Sequence, residues 1–518
     1  MTSSLGSSEP RLRTAAVRWA EIFLLVVAGV FLALHAVHLR ADFPNHSPWM
    51  DWAKYTDEGW YGDAAIRHFQ RGDWYVPGDF NPAAALPVWP VVESGVFRFT
   101  GVGVEPARAL TVGIFALILM SVYFLIRRWQ RIFDPSRQPH LAPALAVLLL
   151  AVSPFCYVFS RMAILEPMLI LLTLLALIAA SYLPEKSNGK GEGWSARAGA
   201  LLPVVALGLL LPLMVLTKTT AIFLLPAVGW IVFARSGYSW KQTLRSGIPV
   251  VAIALSCWIA YYAVVVKPYF LDDYRYLFSA NSYTGMTLSN AWEVVYEAFE
   301  DGMWAGAILY PLALGAMAVA LLMRPRVLRN PLIPATILWI SGYMVFISYH
   351  YNLQPRYYLV TVVPLTLVAV LVCEDLWRRR GSASPLFSTL GVAGAITLAA
   401  MVVTDARQTL DYVRHPEYTF ANAADRIRQI VNSDKEHNRL VLSISGSDLS
   451  LMTGLPSICD DFGTMELEDR VKVYHPGWYV AWNQVDDDKM DALTPAYRLH
   501  RVASFPVMDD PDRNLLIL

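Results

Sequence analysis

The sequence RWAEIFLLVVAGVFLALHAVHL (residues 18–39) decides the class of fold, because it is an apolar run long enough to cross a lipid bilayer. A basic stretch precedes it, as in a signal peptide, but the run has no clear small-residue cleavage site. We therefore interpret it as an uncleaved first membrane helix. The chain of 518 residues is 55% hydrophobic and 16% charged, whereas soluble domains average about 25% charged residues.

Ten further apolar runs follow, which makes eleven predicted membrane spans. They lie near residues 106–126, 140–157, 162–183, 198–216, 219–234, 247–266, 303–323, 332–350, 357–373 and 385–404. The segment 82–99 is short, contains three prolines and carries Glu93 and Arg98. We predict that this segment is interfacial or re-entrant.

The distribution of Lys and Arg orients the spans. With the N-terminus inside, the cytoplasmic segments carry 19 Lys and Arg in 79 residues, against 11 in 124 on the opposite side. Basic residues concentrate in cytoplasmic loops. The predicted N-terminus is therefore cytoplasmic, the C-terminal region is external, and compact loops favour a bacterial inner membrane.

The predicted fold is an all-α polytopic membrane domain over residues 1–404, whose first external loop (41–105) is catalytic, and a small soluble α/β domain over 405–518. In that domain PEYTFANAADRIRQIVN (416–432) has a helical apolar period. The stretches RLVLSIS (439–445) and YRLHRVASF (497–505) have the pattern of strands. The 42 basic residues equal the 42 acidic ones, so nothing indicates nucleic-acid binding.

Ionisable residues at the rim of membrane spans are costly, and each is therefore a functional candidate. Such residues occur at four places on the predicted external face, two of which also contain a tyrosine. The four places are Asp57, Glu58, Tyr61 and Asp63; Arg161 and Glu166; Lys218; and His350, Arg356 and Tyr357. Several carboxylates and cations on one face suit an anionic substrate whose tail stays in lipid. Cations can hold a phosphate, and a carboxylate can act as a general base.

Structural explanations remain open for each place. Arg161 and Glu166 can form an ion pair at the interface. Lys218 can extend to the headgroups, and Arg356 can be an interfacial anchor. Asp57 can cap the helix that follows it.

Four motifs in order carry a family resemblance: YTDEGWYGDAAIRHF (55–69), SRMAILEPMLILLTLLAL (160–177), LTKTTAIFLLPA (216–227) and QPRYYLVTVVP (354–364). Over residues 20–375 the chain resembles the GT-C membrane glycosyltransferases. It is most similar to the branch that holds protein O-mannosyltransferases and the lipid A aminoarabinose transferase. One motif departs, since many relatives have His-Pro-Pro where this chain has FNPAAALPVWP (80–90).

The resemblance implies transfer of a hexose or pentose from a polyprenyl-phosphate donor to a lipid, protein or glycan acceptor, with inversion. It implies Asp57 as base in a catalytic pair with Glu58, and Arg161, Lys218 and Arg356 as contacts of the donor phosphate. The site-shaping residues are then Tyr61, Asp63, Glu166, His350 and Tyr357. No metal cofactor is expected, although two adjacent carboxylates can bind a divalent cation.

Three other functions fit a polytopic membrane protein. A transporter or flippase of lipid-linked sugars would predict internal repeats and charges near the middle of the membrane. The sequence shows no repeat, and its charges cluster at one face. A receptor or scaffold would need fewer spans, and a polymerase or ligase of lipid-linked glycans would share the chemistry with a longer donor.

Overall fold

Helices make up most of the chain in the computed structural model. The structure describes residues 8–133, 140–184, 194–280, 285–350, 352–379, 385–508 and 514–518. The first nine helices are α1 (Ser8–His35), α2 (Asp57–Arg71), α3 (Val88–Thr100), α4 (Val104–Phe133), α5 (Ala142–Val152), α6 (Pro154–Phe159), α7 (Leu165–Ser181), α8 (Trp194–Thr217) and α9 (Leu225–Arg235).

The helical part continues with eight further helices. These are α10 (Trp240–Tyr261), α11 (Lys267–Tyr269), α12 (Leu271–Ala280), α13 (Ala291–Asp301), α14 (Leu309–Ala318), α15 (Leu332–His350), α16 (Pro355–Arg378) and α17 (Pro385–Arg414). Short 3-10 helices cover Trp52–Lys54, Pro82–Ala84, Thr219–Leu224, Gly302–Ala305 and Pro325–Arg329, and π-helical turns cover Tyr262–Val266 and Val319–Met323.

Six helical segments of the described chain are long and apolar enough to cross a membrane, which corrects the predicted count of eleven. They are Ala15–His35, Val104–Ile132, Trp240–Tyr269, Leu332–His350, Pro355–Arg378 and Pro385–Ser433. The pair Ala291–Ala305 and Leu309–Met323, bent by 117°, would make a seventh. Four predicted spans are instead shorter apolar helices: Ala142–Val152, Leu165–Ser181, Leu201–Thr217 and Thr219–Arg235.

Breaks in the backbone end two of these apolar helices, α5 and α8. Ser153 is extended (φ −61°, ψ 122°) ahead of Pro154, so α5 ends after 11 residues. At 1.5 Å per residue, such a helix covers about half of a hydrocarbon core of about 30 Å. Lys218 is likewise extended (φ −156°, ψ 126°) where α8 ends. The segment 82–99 forms a 3-10 turn and then α3, whose 13 residues are outside the candidate spans.

The C-terminal region contains small helices and two three-stranded sheets. Its elements are α18 (Thr419–Ser433), β1 (Val441–Leu442), α19 (Gly446–Thr453), β2 (Ser457–Ile458), α20 (Leu467–Tyr474), β3 (Trp478–Tyr479), β4 (Ala481–Trp482), α21 (Asp487–Leu493), β5 (Ser504–Pro506) and β6 (Leu515–Ile517). The predicted helix and the strand in 439–445 are therefore present. In 497–505 only the end, from Ser504, is strand.

The first sheet is parallel in the order β2-β1-β3, with Val441 of β1 opposite Ser457 and Trp478. The second is antiparallel in the order β4-β6-β5. Because β1 is central, the chain crosses from one side of it to the other between β2 and β3. The helix α19 starts just after β1 and packs along α2. One cluster of buried apolar side chains joins the membrane helices to α18 and α19, which holds the C-terminal region against the segment after α1.

Candidate functional site

Asp57 is the first residue of α2, and its side chain is buried. Its Oδ2 lies 2.9 Å from Nη2 of Arg356, and Oδ1 accepts a hydrogen bond of 3.3 Å from the Thr56 hydroxyl. Within the described residues, Oδ2 accepts no hydrogen bond of good geometry. One carboxylate oxygen therefore keeps a lone pair that can accept a proton.

Burial raises the pKa of the Asp57 carboxyl above its usual value of 3.8. The positive charge of Arg356 opposes this increase in pKa, whereas the negative charge of Asp51 adds to it. A carboxylate with a raised pKa is a stronger base than an exposed aspartate, because its conjugate acid holds the proton more tightly.

Arg356 lies between two carboxylates at the start of α16. Its Nη1 donates to Asp51 Oδ1 in a close contact, and its backbone N–H donates to Asp51 Oδ2 at 2.8 Å. Asp51 also accepts the N–H of Ala53 at 2.8 Å and so caps the 3-10 turn Trp52–Lys54. The guanidinium thus ties the turn before α2 to the first residue of α2.

Lys218 and Glu166 form a second buried ion pair beside the first. Lys218 Nζ contacts Glu166 Oε1, and Nζ lies 4.5 Å from the ring centroid of Tyr357. The Cζ of Arg356 lies 4.8 Å from the same ring centroid, so Tyr357 contacts both cations. Because Lys218 is only 8% exposed, it does not extend to the headgroups. Glu166 pairs with Lys218 and not with Arg161.

Three helix starts and one helix break create this arrangement. We name it the Asp57 cluster, and its members are Asp51, Asp57, Glu166, Lys218, Arg356 and Tyr357. Asp57, Glu166 and Arg356 lie in the first turns of α2, α7 and α16, and Lys218 lies in the break after α8. Asp57 and Glu166 are favoured at these positions, because the N-terminus of a helix stabilises negative charge.

Two predicted site residues adjoin the cluster. Tyr61, one turn after Asp57, interacts electrostatically with Asp57, Arg356 and Tyr357. The ring centroid of His350 lies 5.7 Å from that of Tyr357. Seven of the ten predicted side chains therefore lie in or beside the cluster.

Glu58 has different partners from its neighbour Asp57. Both of its oxygens pair with Arg108, at 2.8 Å from Nε and 2.5 Å from Nη2, and Oε1 also accepts the N–H of Ala163 at 2.9 Å. Arg161 interacts electrostatically with Arg108 and Glu58. The adjacent acids of the sequence thus belong to different ion pairs.

Arg161 and Asp63 have structural partners of their own. Nη2 of Arg161 donates to the carbonyl oxygens of Val37 and His38, at 2.9 and 2.6 Å. Asp63 pairs with Arg67 at 2.7 Å. Burial raises the pKa of Asp63 to about 7, and the charge of Arg67 opposes that increase. The predictions of a phosphate contact for Arg161 and of a site-shaping role for Asp63 therefore gain no support from position.

Sequence reasoning missed Asp51 and Arg108. The signal for Asp51 is an acid in the position that caps the turn Trp52–Lys54. Arg108 lies inside the predicted span 106–126 and inside α4, which begins at Val104, and a charged residue within a span is itself a signal of function. In the described ranges no group of three His, Cys, Asp or Glu could hold a metal ion.

Known proteins are similar to this chain in structure. No family profile and no curated protein matches the chain by sequence. A solved structure of ArnT from Cupriavidus metallidurans bound to undecaprenyl phosphate matches with a TM-score of 0.61 and 16% identity, over 97% of this chain and 98% of ArnT. The chain has the GT-C fold.

A second GT-C structure supports the same conclusion about the fold. It is the oligosaccharyltransferase AglB from Archaeoglobus fulgidus, in complex with an inhibitory peptide and a dolichol-phosphate. It matches with a TM-score of 0.51 and 14% identity, over 92% of this chain and 71% of AglB. The GT-C resemblance predicted from four short motifs is thus confirmed as a similarity of fold.

Proposed function

We propose that this GT-C protein is a membrane glycosyltransferase that moves a sugar from a polyprenyl-phosphate donor to a lipid, protein or glycan acceptor. The observation that carries the proposal is Asp57, a buried carboxylate whose Oδ2 accepts no hydrogen bond of good geometry in the described residues, next to the cations Arg356 and Lys218. The similar folds of ArnT, solved with undecaprenyl phosphate, and AglB, solved with a dolichol-phosphate, support a lipid-linked donor.

The proposed reaction is a single displacement at the anomeric carbon. The acceptor hydroxyl or amine attacks that carbon and gives its proton to Asp57 Oδ2. The bond between the anomeric carbon and the phosphate oxygen breaks, and the phosphate keeps the electron pair. The new negative charge is stabilised by Lys218 and Arg356 as fixed cations in a water-poor site. A single displacement inverts the anomeric configuration.

The proposed reaction takes place on the periplasmic face of a bacterial inner membrane, with the N-terminus in the cytoplasm. The concentration of Lys and Arg in the predicted cytoplasmic segments supports this orientation. The packing of α19 on α2 supports one part of this proposal, a C-terminal region on the same side of the membrane as the first loop, and that part agrees with an odd number of spans, as in the count of seven.

A direct assay tests the function. Purified protein in detergent is given labelled undecaprenyl-phosphate sugars together with extracts that contain candidate acceptors. We expect labelled product with the inverted anomeric configuration by NMR, and retention would contradict the single displacement. A protein that binds donors but neither transfers nor releases sugar would indicate transport, which a flipping assay in vesicles then measures.

Lys218→Met should weaken donor binding by about 10–100-fold, since a hydrogen bond to a charged group contributes about 1.5–3 kcal/mol. It should also lower stability, because Glu166 stays buried without its partner. The double variant Lys218→Met/Glu166→Met separates the two effects. We expect it to recover the melting temperature and to remain weak in donor binding. Recovered binding would mean that Lys218 only neutralises Glu166.

Glu58→Gln should lower stability more than catalysis. Removing one partner of a buried ion pair costs about 3–5 kcal/mol, and the other hydrogen bonds of Arg108 in the described chain go to the backbone carbonyl oxygens of Leu39 and Ala41. We expect a lower melting temperature and a decrease in kcat below about tenfold per folded molecule. Glu105→Gln, an exposed acid on α4, is the control. A loss of kcat as large as that of a base would restore Glu58 to the catalytic pair.

A further inference from the structure

The helix α2, which carries Asp57, does not cap its own first turn. In the described structure Thr56, the N-cap residue, makes no side-chain hydrogen bond to an N–H of that turn. The first N–H groups of a helix have no partner inside the helix. The acceptor comes from far along the chain, since Oδ1 of Asp448 in α19 accepts the N–H of Gly59 across 389 residues.

Gly59 makes this contact sterically possible. A Cβ atom at position 59 would lie 2.1 Å from the carbonyl carbon of Ser447 and 2.2 Å from the backbone nitrogen of Asp448. Any side chain there would therefore push α19 away from α2. Trp60 adds a second bond, from its Nε1 to the carbonyl oxygen of Ile444 at 3.0 Å.

These contacts lie at the carboxyl end of β1 in the parallel sheet. Parallel sheets commonly bind ligands at the carboxyl ends of their strands, at the point where the strand order reverses. Here the protein's own segment occupies it. Besides α2, Asp79 Oδ1 accepts the N–H of Cys459, just after β2, at 3.0 Å. The carboxyl end of the small parallel sheet thus contacts α2, which carries the proposed base, and also Asp79.

We propose that Asp448 is a positioning residue of the transferase, which caps α2 from the C-terminal region and so fixes Asp57 against Arg356. This inference rests on the proposed function. Asp57 and Gly59 share one helical turn, so a frayed turn moves the carboxylate of Asp57. A displacement of about 1 Å in an active site can cost about 100-fold in rate.

The test compares Asp448→Ala, Asp448→Asn and the control Asp460→Ala in the purified full chain. Asn keeps an oxygen that can accept the Gly59 N–H, and Ala does not. Asp460 is also a buried acid of the C-terminal region, but its partners are Tyr479 and Lys489. The measurements are kcat, KM for donor, and hydrogen exchange of a peptide that covers residues 56–64.

We expect Asp448→Ala to lower kcat by about 100-fold, with KM within about threefold. Exchange in 56–64 should become about tenfold faster. Asp448→Asn should keep at least about a third of kcat, and Asp460→Ala should leave exchange in 56–64 unchanged. Unchanged exchange in Asp448→Ala, or an equal loss of kcat in Asp460→Ala, would overturn the proposal. If wild-type protein transfers no sugar, the proposed function fails while hydrogen exchange still tests the cap.

Discussion

Asp57→Asn should reduce kcat for sugar transfer by about 10²–10⁴-fold, which is the usual contribution of a positioned general base. The amide fills the same space and can still accept from Thr56, but it cannot take a proton from the acceptor. Donor binding should change little, because Arg356 keeps its bonds to Asp51. Single-turnover transfer with labelled donor, and a separate donor-binding titration, provide the two measurements.

Asp63→Asn is the matched control for this variant. Asp63 lies on the same helix and is also buried, but its partner is Arg67. We expect kcat within about tenfold of wild type for this variant, because it removes no group of the Asp57 cluster. Transfer at a near wild-type rate by Asp57→Asn would exclude Asp57 as the base.

The pH dependence gives an independent check. Burial raises the pKa of the Asp57 carboxyl, so its basic form is lost at a higher pH than that of an exposed aspartate. The value of kcat/KM should therefore decrease as the pH falls through this raised pKa. The residual activity of Asp57→Asn should lack that acidic limb, because an amide does not titrate in this range.

Arg356→Lys should lower both stability and activity. The guanidinium pairs with Asp51 through Nη1 and with Asp57 through Nη2, and a lysine ammonium is a single point that cannot reproduce this planar fork. Two buried carboxylates lose their fixed partner, and breaking a buried pair costs about 3–5 kcal/mol. We expect a clear decrease in melting temperature, together with a decrease in kcat of at least about 100-fold from the misplaced Asp57.

Two further variants distinguish the possible causes of these decreases. Arg379→Lys alters an exposed pair with Asp375, and surface pairs contribute about 0–1 kcal/mol, so it should behave like wild type. The double variant Arg356→Gln/Asp51→Asn removes one carboxylate together with the arginine. It should recover part of the stability, since Asp57 stays without its partner, and it should not recover transfer. Full activity of the double variant would show that Arg356 neutralises Asp51 and neither holds Asp57 nor contacts the donor phosphate.

The sequence was sufficient to find most of the Asp57 cluster. Asp57, Glu166, Lys218 and Arg356 are ionisable residues in or beside apolar runs, where a charge is costly enough to need a reason. Sequence reasoning named Asp57 as the base, but it could not assign the ion-pair partners of Asp57 and Glu58, whose side chains leave the helix about 100° apart. Only the tertiary positions of Arg108 on α4 and Arg356 on α16 decide which carboxylate meets which arginine.

Other features depend on tertiary structure in the same way. Asp448 is 389 residues from Gly59 in sequence, and no local sequence pattern indicates that so distant a residue caps α2. The predicted count of eleven exceeds the six or seven candidate spans of the described residues for a local reason. An apolar run of suitable length predicts a crossing, but the break at Ser153 and Pro154 shortens the helix without lowering its hydrophobicity. Composition measures hydrophobicity, whereas a crossing also requires an uninterrupted helix.

The bond between Gly59 and Asp448 has a consequence for biogenesis. A ribosome that adds about 5–20 residues per second needs about 20–80 s to extend the chain from Gly59 to Asp448, 389 positions later. During that interval the membrane helices can already insert, while the first turn of α2 lacks its acceptor. On this timing, we expect the nascent chain to contact lipid before Asp448 can fix the position of the Asp57 carboxylate. We therefore expect the proposed active geometry to be complete only after the C-terminal region has been made, and a product truncated before Asp448 to transfer no sugar.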